Sequence, residues 1–172
     1  MVSARAVRVT GYVELQVTTN FSFLRGASHP AELVLRAASL GQGAVGVSDR
    51  NSLAGIVRAH VAAKEAKVGL VVGARLDLAD GLSVLAYPVD RAAYGRLSRL
   101  ITLGRRRAPK GEYILYRKDV LGHGKGLVFI VLPDDDDDAA AAQTGALCAA
   151  FPGFVYLAGY NFCRGDDRRA LA

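Results

Sequence analysis

Tyr12-Val13-Glu14-Leu15-Gln16-Val17-Thr18-Thr19-Asn20-Phe21-Ser22-Phe23-Leu24-Arg25-Gly26 is the stretch on which the fold assignment turns. Tyr12 to Thr18 alternates with the period of a strand, and a polar, glycine-ended loop follows. Two later stretches repeat the arrangement of a strand that ends in polar residues: Val47-Ser48-Asp49-Arg50-Asn51-Ser52-Leu53-Ala54-Gly55 and Val71-Val72-Gly73-Ala74-Arg75. Between and beyond them the chain alternates strand and helix patterns. Ser28-His29-Pro30 opens a helix running to about Leu40, with Pro30 in the first turn and Glu32 at its positive end. Ala44 to Val47 reads as a short buried strand, Leu53 to Ala66 as a helix, and Lys67 to Leu76 as a third strand. Asp80-Gly81 suggests a hairpin into a fourth, Leu82 to Tyr87. A helix is expected over Asp90 to Leu103, with Ala93, Leu97, Leu100 and Ile101 on one face, then a loop from Gly104 to Gly111. A strand at Leu127 to Leu132, a helix at Ala139 to Ala150 and a strand at Phe154 to Ala158 complete the pattern.

Such alternation predicts an α/β fold, mostly parallel strands with crossover helices, in either an open sheet or a barrel. The three quoted stretches, in this order and separation, resemble the PHP (polymerase and histidinol phosphatase) domain that opens bacterial C-family DNA polymerases, and within it the error-prone, damage-inducible branch. The resemblance implies a distorted (β/α) barrel. A complete barrel takes about 250 residues, so the 172 residues here are expected to form a single PHP-like domain, 1–172, truncated before barrel completion and lacking the polymerase domains. Arg164 to Ala172 looks like the start of another helix.

The resemblance also locates a pocket and shows how it has changed. In metal-binding members, it implies, the first strand carries His-x-His where this chain has Gln16 and Thr18. The second carries Asp-His where it has Asp49 and Arg50, and the third carries Glu where it has Arg75. A hydrolytic metal site needs imidazole and carboxylate ligands and an open position for water. Gln and Thr are poor transition-metal ligands, and a guanidinium has five donors and no acceptor. These degenerate positions predict no metal, no other cofactor and no catalytic residue, with a polar network in place of cations in which Arg50 or Arg75 lies within charge-assisted hydrogen-bond reach of a carboxylate.

The charge distribution supplies a second candidate surface. From Arg91 to Lys125 ten Lys or Arg face two acids, a local excess of eight against six for the whole chain. Arg96, Arg99, Arg105, Arg106, Arg107 and Lys110 are therefore candidate contacts for phosphates or an acidic partner; the plainer account is a solvated loop. Tyr113 and Tyr116 follow the basic run without interleaving, so base stacking is not expected.

Other features carry less. Asp134 to Asp138 reads as a linker or helix N-terminus, and His60 as a half-buried packing histidine on the stripe Leu53, Ile56, Val57, Ala63. His29 sits at a helix start and His123 in a turn. Cys148 and Cys163 give no disulfide framework and read as small packing residues. The first eleven residues lack the apolar core of a signal peptide, and no apolar run approaches the about 20 residues of a membrane helix, so a cytoplasmic location is expected. The expected function is the N-terminal PHP-like region of an error-prone, translesion DNA polymerase, structural or partner-docking. Its partners would be the rest of the polymerase, accessory proteins and DNA through the basic loop. The alternatives are an active metal-dependent phosphoesterase and a free-standing basic nucleic-acid-binding module.

Overall fold

The computed structural model describes residues 11–132 and 137–159; the residue 1–10 segment, Asp134 to Asp136, Cys163 and the expected helix from Arg164 lie outside these. The chain divides into two compact units, one ending at Arg75 and one beginning at Leu76.

In the first unit β1 (Glu14–Val17), α1 (Pro30–Ser39), β2 (Ala44–Arg50), α2 (Ile56–Ala66) and β3 (Gly69–Asp77) follow in order, β3 passing into the second unit with its last two residues. β2 pairs in parallel with β1 and with β3. Every residue from Val45 to Asp49 is buried, as expected of a parallel strand covered on both sides. At Gly46 an added Cβ would stand 2.7 Å from the Leu15 carbonyl oxygen, so the glycine lets β1 lie close against β2. The α1 N-terminus is set by Pro30 and by Glu32, whose carboxylate accepts from the His29 N–H at 2.8 Å. Gly41, at φ 75°, closes its C-terminus. Val34 and Ala37 of α1, Ile56, Ala59, Ala62 and Ala63 of α2, and Val45 and Val47 of β2 form the core. Full burial of each valine contributes about 1.5–3 kcal/mol.

The α2 stripe differs from the expected one. Ile56, Ala59, Ala62 and Ala63 face inward, whereas Val57 and His60 are exposed. The helix begins at Ile56, three residues later than expected; its inward positions recur at three- and four-residue spacing from Ile56, and Val57 and His60, each one residue past an inward position, fall on the adjoining outer face.

The second unit holds β4 (Ser83–Pro88), α3 (Arg91–Arg107), α4 (Arg117–His123), β5 (Leu127–Leu132), α5 (Asp137–Ala150) and β6 (Val155–Leu157). The turn before β4 closes with Leu78 N–H donating to the Leu82 carbonyl at 2.8 Å, with Gly81 at φ 95°. β5 pairs in parallel with β6 but antiparallel with β4, a departure from an all-parallel arrangement that lies outside the motif-bearing strands. Asp90 caps α3 by accepting from Ala93 N–H at 2.6 Å.

Three expectations fail here. Gly104 does not end α3, which continues through Arg107, so the arginine run lies in a last helical turn, where positive charge is favoured. His123 lies in α4, a helix absent from the expected pattern, and its Nδ1 is 2.9 Å from the Asp119 carbonyl oxygen. Cys148 is exposed: the weakly amphipathic, alanine-rich α5 buries Leu147 and turns the neighbouring cysteine outward. Among the described residues no helix is long and apolar enough to cross a membrane.

Candidate functional site

The C-terminal ends of β1, β2 and β3 converge because their register is parallel, and this brings the predicted positions together. Arg50 and Arg75 are direct register partners, so their side chains leave the same face of the sheet. Thr18 follows the end of β1. The loop after it doubles back: Ser22 N–H donates to the Thr19 carbonyl at 3.0 Å, and Arg25 N–H and Gly26 N–H to the Ser22 carbonyl at 2.9 and 3.1 Å. Gly26 lies so close to the Thr18 and Thr19 backbone that an added Cβ would stand 2.7 Å from the Thr18 carbonyl oxygen. That contact returns Arg25 to the strand ends. Thr18, Arg25, Arg50 and Arg75 line one cavity of about 140 Å³.

Gln16 is half-buried on β1 and is not among the lining residues. Arg25 was not singled out from the sequence; the signal available was a lone cation beside a glycine in a loop that leaves a site-bearing strand.

Asp49 is buried beside this cavity with a network of its own. Its Oδ1 accepts from Thr19 N–H at 2.8 Å and from Ser22 Oγ at 2.7 Å, and its Oδ2 from Thr19 Oγ1 at 2.8 Å. Ser22 Oγ in turn accepts from Arg50 N–H at 2.8 Å. The carboxylate thereby pins the loop to the end of β2, and Gly55 leaves room for it, since a Cβ there would meet Oδ2 at 2.9 Å. Arg50 and Arg75 are engaged with neighbours of their own.

The donor set does not suit a metal cluster. Guanidinium groups supply no lone pair, the adjacent carboxylate accepts three hydrogen bonds, and among the described residues no group of three or more His, Cys, Asp or Glu could hold a metal ion.

The family profile of the PHP domain matches residues 14–149. The chain belongs to the PHP family. This PHP chain is 53% identical over 160 residues to error-prone DNA polymerase 2 of Agrobacterium fabrum, a match covering 93% of the chain and 15% of that protein. It is 55% identical to the error-prone DNA polymerase of Allorhizobium ampelinum over the same shares. The PHP chain thus spans about 15% of the length of these curated relatives, and it is homologous to their N-terminal region. Among solved structures it resembles a candidate metal-dependent phosphoesterase of Bifidobacterium adolescentis, with TM-score 0.69, 17% identity and coverage of 92% of this chain and 81% of that one. An amidohydrolase of Chromobacterium violaceum, solved with sulfate and no metal, matches with TM-score 0.61, 14% identity and the same coverages. At these identities the likeness is one of fold, the PHP-type α/β fold expected from the sequence.

The basic segment lies in the other unit, and the structure divides its arginines. Arg99, Arg106 and Arg107 line an open groove of about 660 Å³ with Ser98, Thr102 and His123. Arg107 also makes a bidentate pair with Asp119, at 2.6 and 3.0 Å, which holds the Asp119 carboxyl below its ordinary range. Arg96 donates from Nε to the Lys125 carbonyl at 2.5 Å. Arg105 lies over the Tyr113 ring, and Arg107 and Lys118 over that of Tyr116, at 5.7, 5.2 and 5.4 Å. The tyrosine rings thus already carry cations from their own segment. Lys110 is exposed in the following loop. Burial pushes the Tyr113 hydroxyl far above its usual range.

Proposed function

We propose that this chain serves as the PHP region of an error-prone DNA polymerase, acting in the cytoplasm as a non-hydrolytic element that supports the polymerase and docks its partners. The observation that carries this reading is a cavity at the strand ends whose lining, among the described residues, is three arginines and a threonine. A water nucleophile would need a Lewis acid held by imidazole and carboxylate groups, and the residues here neither ligate a cation nor tolerate one electrostatically. Conservation of the fold without its hydrolytic chemistry leaves a structural task, and the homology to error-prone polymerases supplies the context.

The purified chain should retain no stoichiometric zinc, manganese or iron on elemental analysis after dialysis, and should hydrolyse neither phosphomonoesters nor DNA ends. The chain should also co-elute on size exclusion with Agrobacterium fabrum error-prone DNA polymerase 2 deprived of its matching region. Near-stoichiometric metal accompanied by hydrolysis would overturn the reading in favour of a phosphoesterase, and independent elution would remove the structural role.

A further inference from the structure

We propose that Phe23 and Leu24, at the tip of the loop after β1, form a preformed anchor that inserts into an apolar recess on the polymerase portion of the polypeptide, the part of the relatives that lies outside the region matched here. The two side chains are 85% and 87% exposed, more than any other large apolar side chain among the described residues. Single exposed apolar residues are ordinary on a protein surface, but two adjacent ones at a loop tip make a protruding apolar patch. Looseness of the loop does not account for them. The same loop buries Ser22 and keeps Phe21 half-buried, with the Arg58 guanidinium carbon 5.5 Å from the centre of its ring. It turns one phenylalanine in and the next one out.

The tip is also held in a conformation that its sequence does not favour. Arg25 N–H closes a four-residue turn on the Ser22 carbonyl at 2.9 Å, and Leu24, in the third position of that turn, has φ 59°. Positive φ at that position ordinarily belongs to glycine or asparagine, and a leucine keeps it only where the surroundings impose it. Here they do: Ser22 Oγ donates to Asp49 Oδ1 at 2.7 Å, Gly26 packs on the Thr19 backbone, and Asn20 N–H donates to the Ser28 carbonyl at 2.9 Å across the base of the loop. A leucine set against both its backbone preference and water serves neither folding nor solubility. A rigid apolar point serves binding, because it loses little further freedom when the partner arrives.

The size of the anchor selects its partner. A phenylalanine buries about 150–250 Å², so with one leucine the tip falls far short of the roughly 1,200–2,000 Å² of an association between separate proteins. A second copy or a free protein would not be held by it alone. A recess in the same polypeptide would, since tethering supplies a high effective concentration. The matched region is 15% of error-prone DNA polymerase 2 of Agrobacterium fabrum, so most of that polypeptide lies outside it.

This inference rests on the reading of the chain as a supporting part of a polymerase, and the test separates the two. In a fusion where this chain replaces the matching region of the Agrobacterium fabrum enzyme, irradiation of Phe23→p-benzoylphenylalanine should join position 23 to peptides of the polymerase portion within one polypeptide. Joining to a second copy, to an added single-stranded oligonucleotide stacked on the ring, or to nothing would overturn the proposal. Phe23→Ser with Leu24→Gly should leave the Tm of the isolated chain unchanged or raised, as glycine relieves the positive φ. In the fusion the same pair should speed protease cleavage between the chain and the polymerase portion by about tenfold or more. A junction protected equally in both proteins would remove the anchor and leave the supporting role standing. A wild-type junction cut as fast as a flexible linker would sink the supporting role, and the anchor with it.

Discussion

At the scale of single residues, Asp49 stands where the family resemblance implies a metal ligand, and in this structure it anchors the loop after β1. In a metal site its oxygens would face a cation; here they hold Thr19 and Ser22. Asp49→Ala would orphan a buried amide and two hydroxyls and should lower stability on the order of 3 kcal/mol, read as a shift of the urea midpoint at unchanged slope. Asp49→Asn retains one acceptor and should lose roughly half of that. Equal costs for both would mean that the charge, not the hydrogen-bond count, matters. The presence of Asp49 and its substituted neighbours was legible in the sequence. Its partners were not, because Thr19 and Ser22 lie about thirty positions away in a loop whose path is fixed by Gly26 packing on backbone atoms. Nothing in a hydropathy pattern marks such a close approach.

Among the elements, α3 and α4 are joined by the Arg107–Asp119 pair, with Asp119 also accepting from Tyr116 N–H at 2.9 Å at the start of α4. The hydrogen bond from Arg107 lowers the Asp119 pKa below its ordinary 3.8, against a smaller opposing effect of burial. A carboxylate with a depressed folded-state pKa stabilises fully above its unfolded value and loses that contribution as pH falls through the folded one. Wild type should therefore exceed Asp119→Asn by a constant margin at neutral pH in thermal melts, and the margin should begin to shrink as pH falls to about 4 and vanish only below the depressed folded-state pKa. A margin independent of pH would show the pair to be without effect. The same region shows why element ends were the weakest part of the sequence reading. Gly104 looks like a helix stop, yet an added Cβ there would meet the Tyr113 ring at 2.5 Å: the glycine is a seat for an aromatic side chain brought by a later turn. Strands at the motifs, by contrast, were recognisable because β1 alternates in sequence and the buried β2 announces itself as a short apolar run.

For the molecule as a whole, the formal charge of +6 conceals a local excess of eight between Arg91 and Lys125, the segment that carries the groove of Arg99, Arg106 and Arg107. If that groove contacts duplex phosphates, log affinity should fall linearly with log salt by about 0.9 per phosphate neutralised. Arg99→Ala with Arg106→Ala should then lower the slope by about 1.8 in fluorescence titrations with random duplex DNA; an unchanged slope would assign the groove to a protein partner. The facing of Arg50 and Arg75 across adjacent strands has a different consequence, for the routes by which such a chain can change. Arg75→Glu alone would set a carboxylate opposite Arg50, and the two would neutralise each other before either could capture a cation. On the proposed non-hydrolytic reading, a metal-binding pocket would thus need several replacements at once, at Gln16, Thr18, Arg50 and Arg75. On that reading the pairing would act as a ratchet, because a metal pocket could not be reached one substitution at a time.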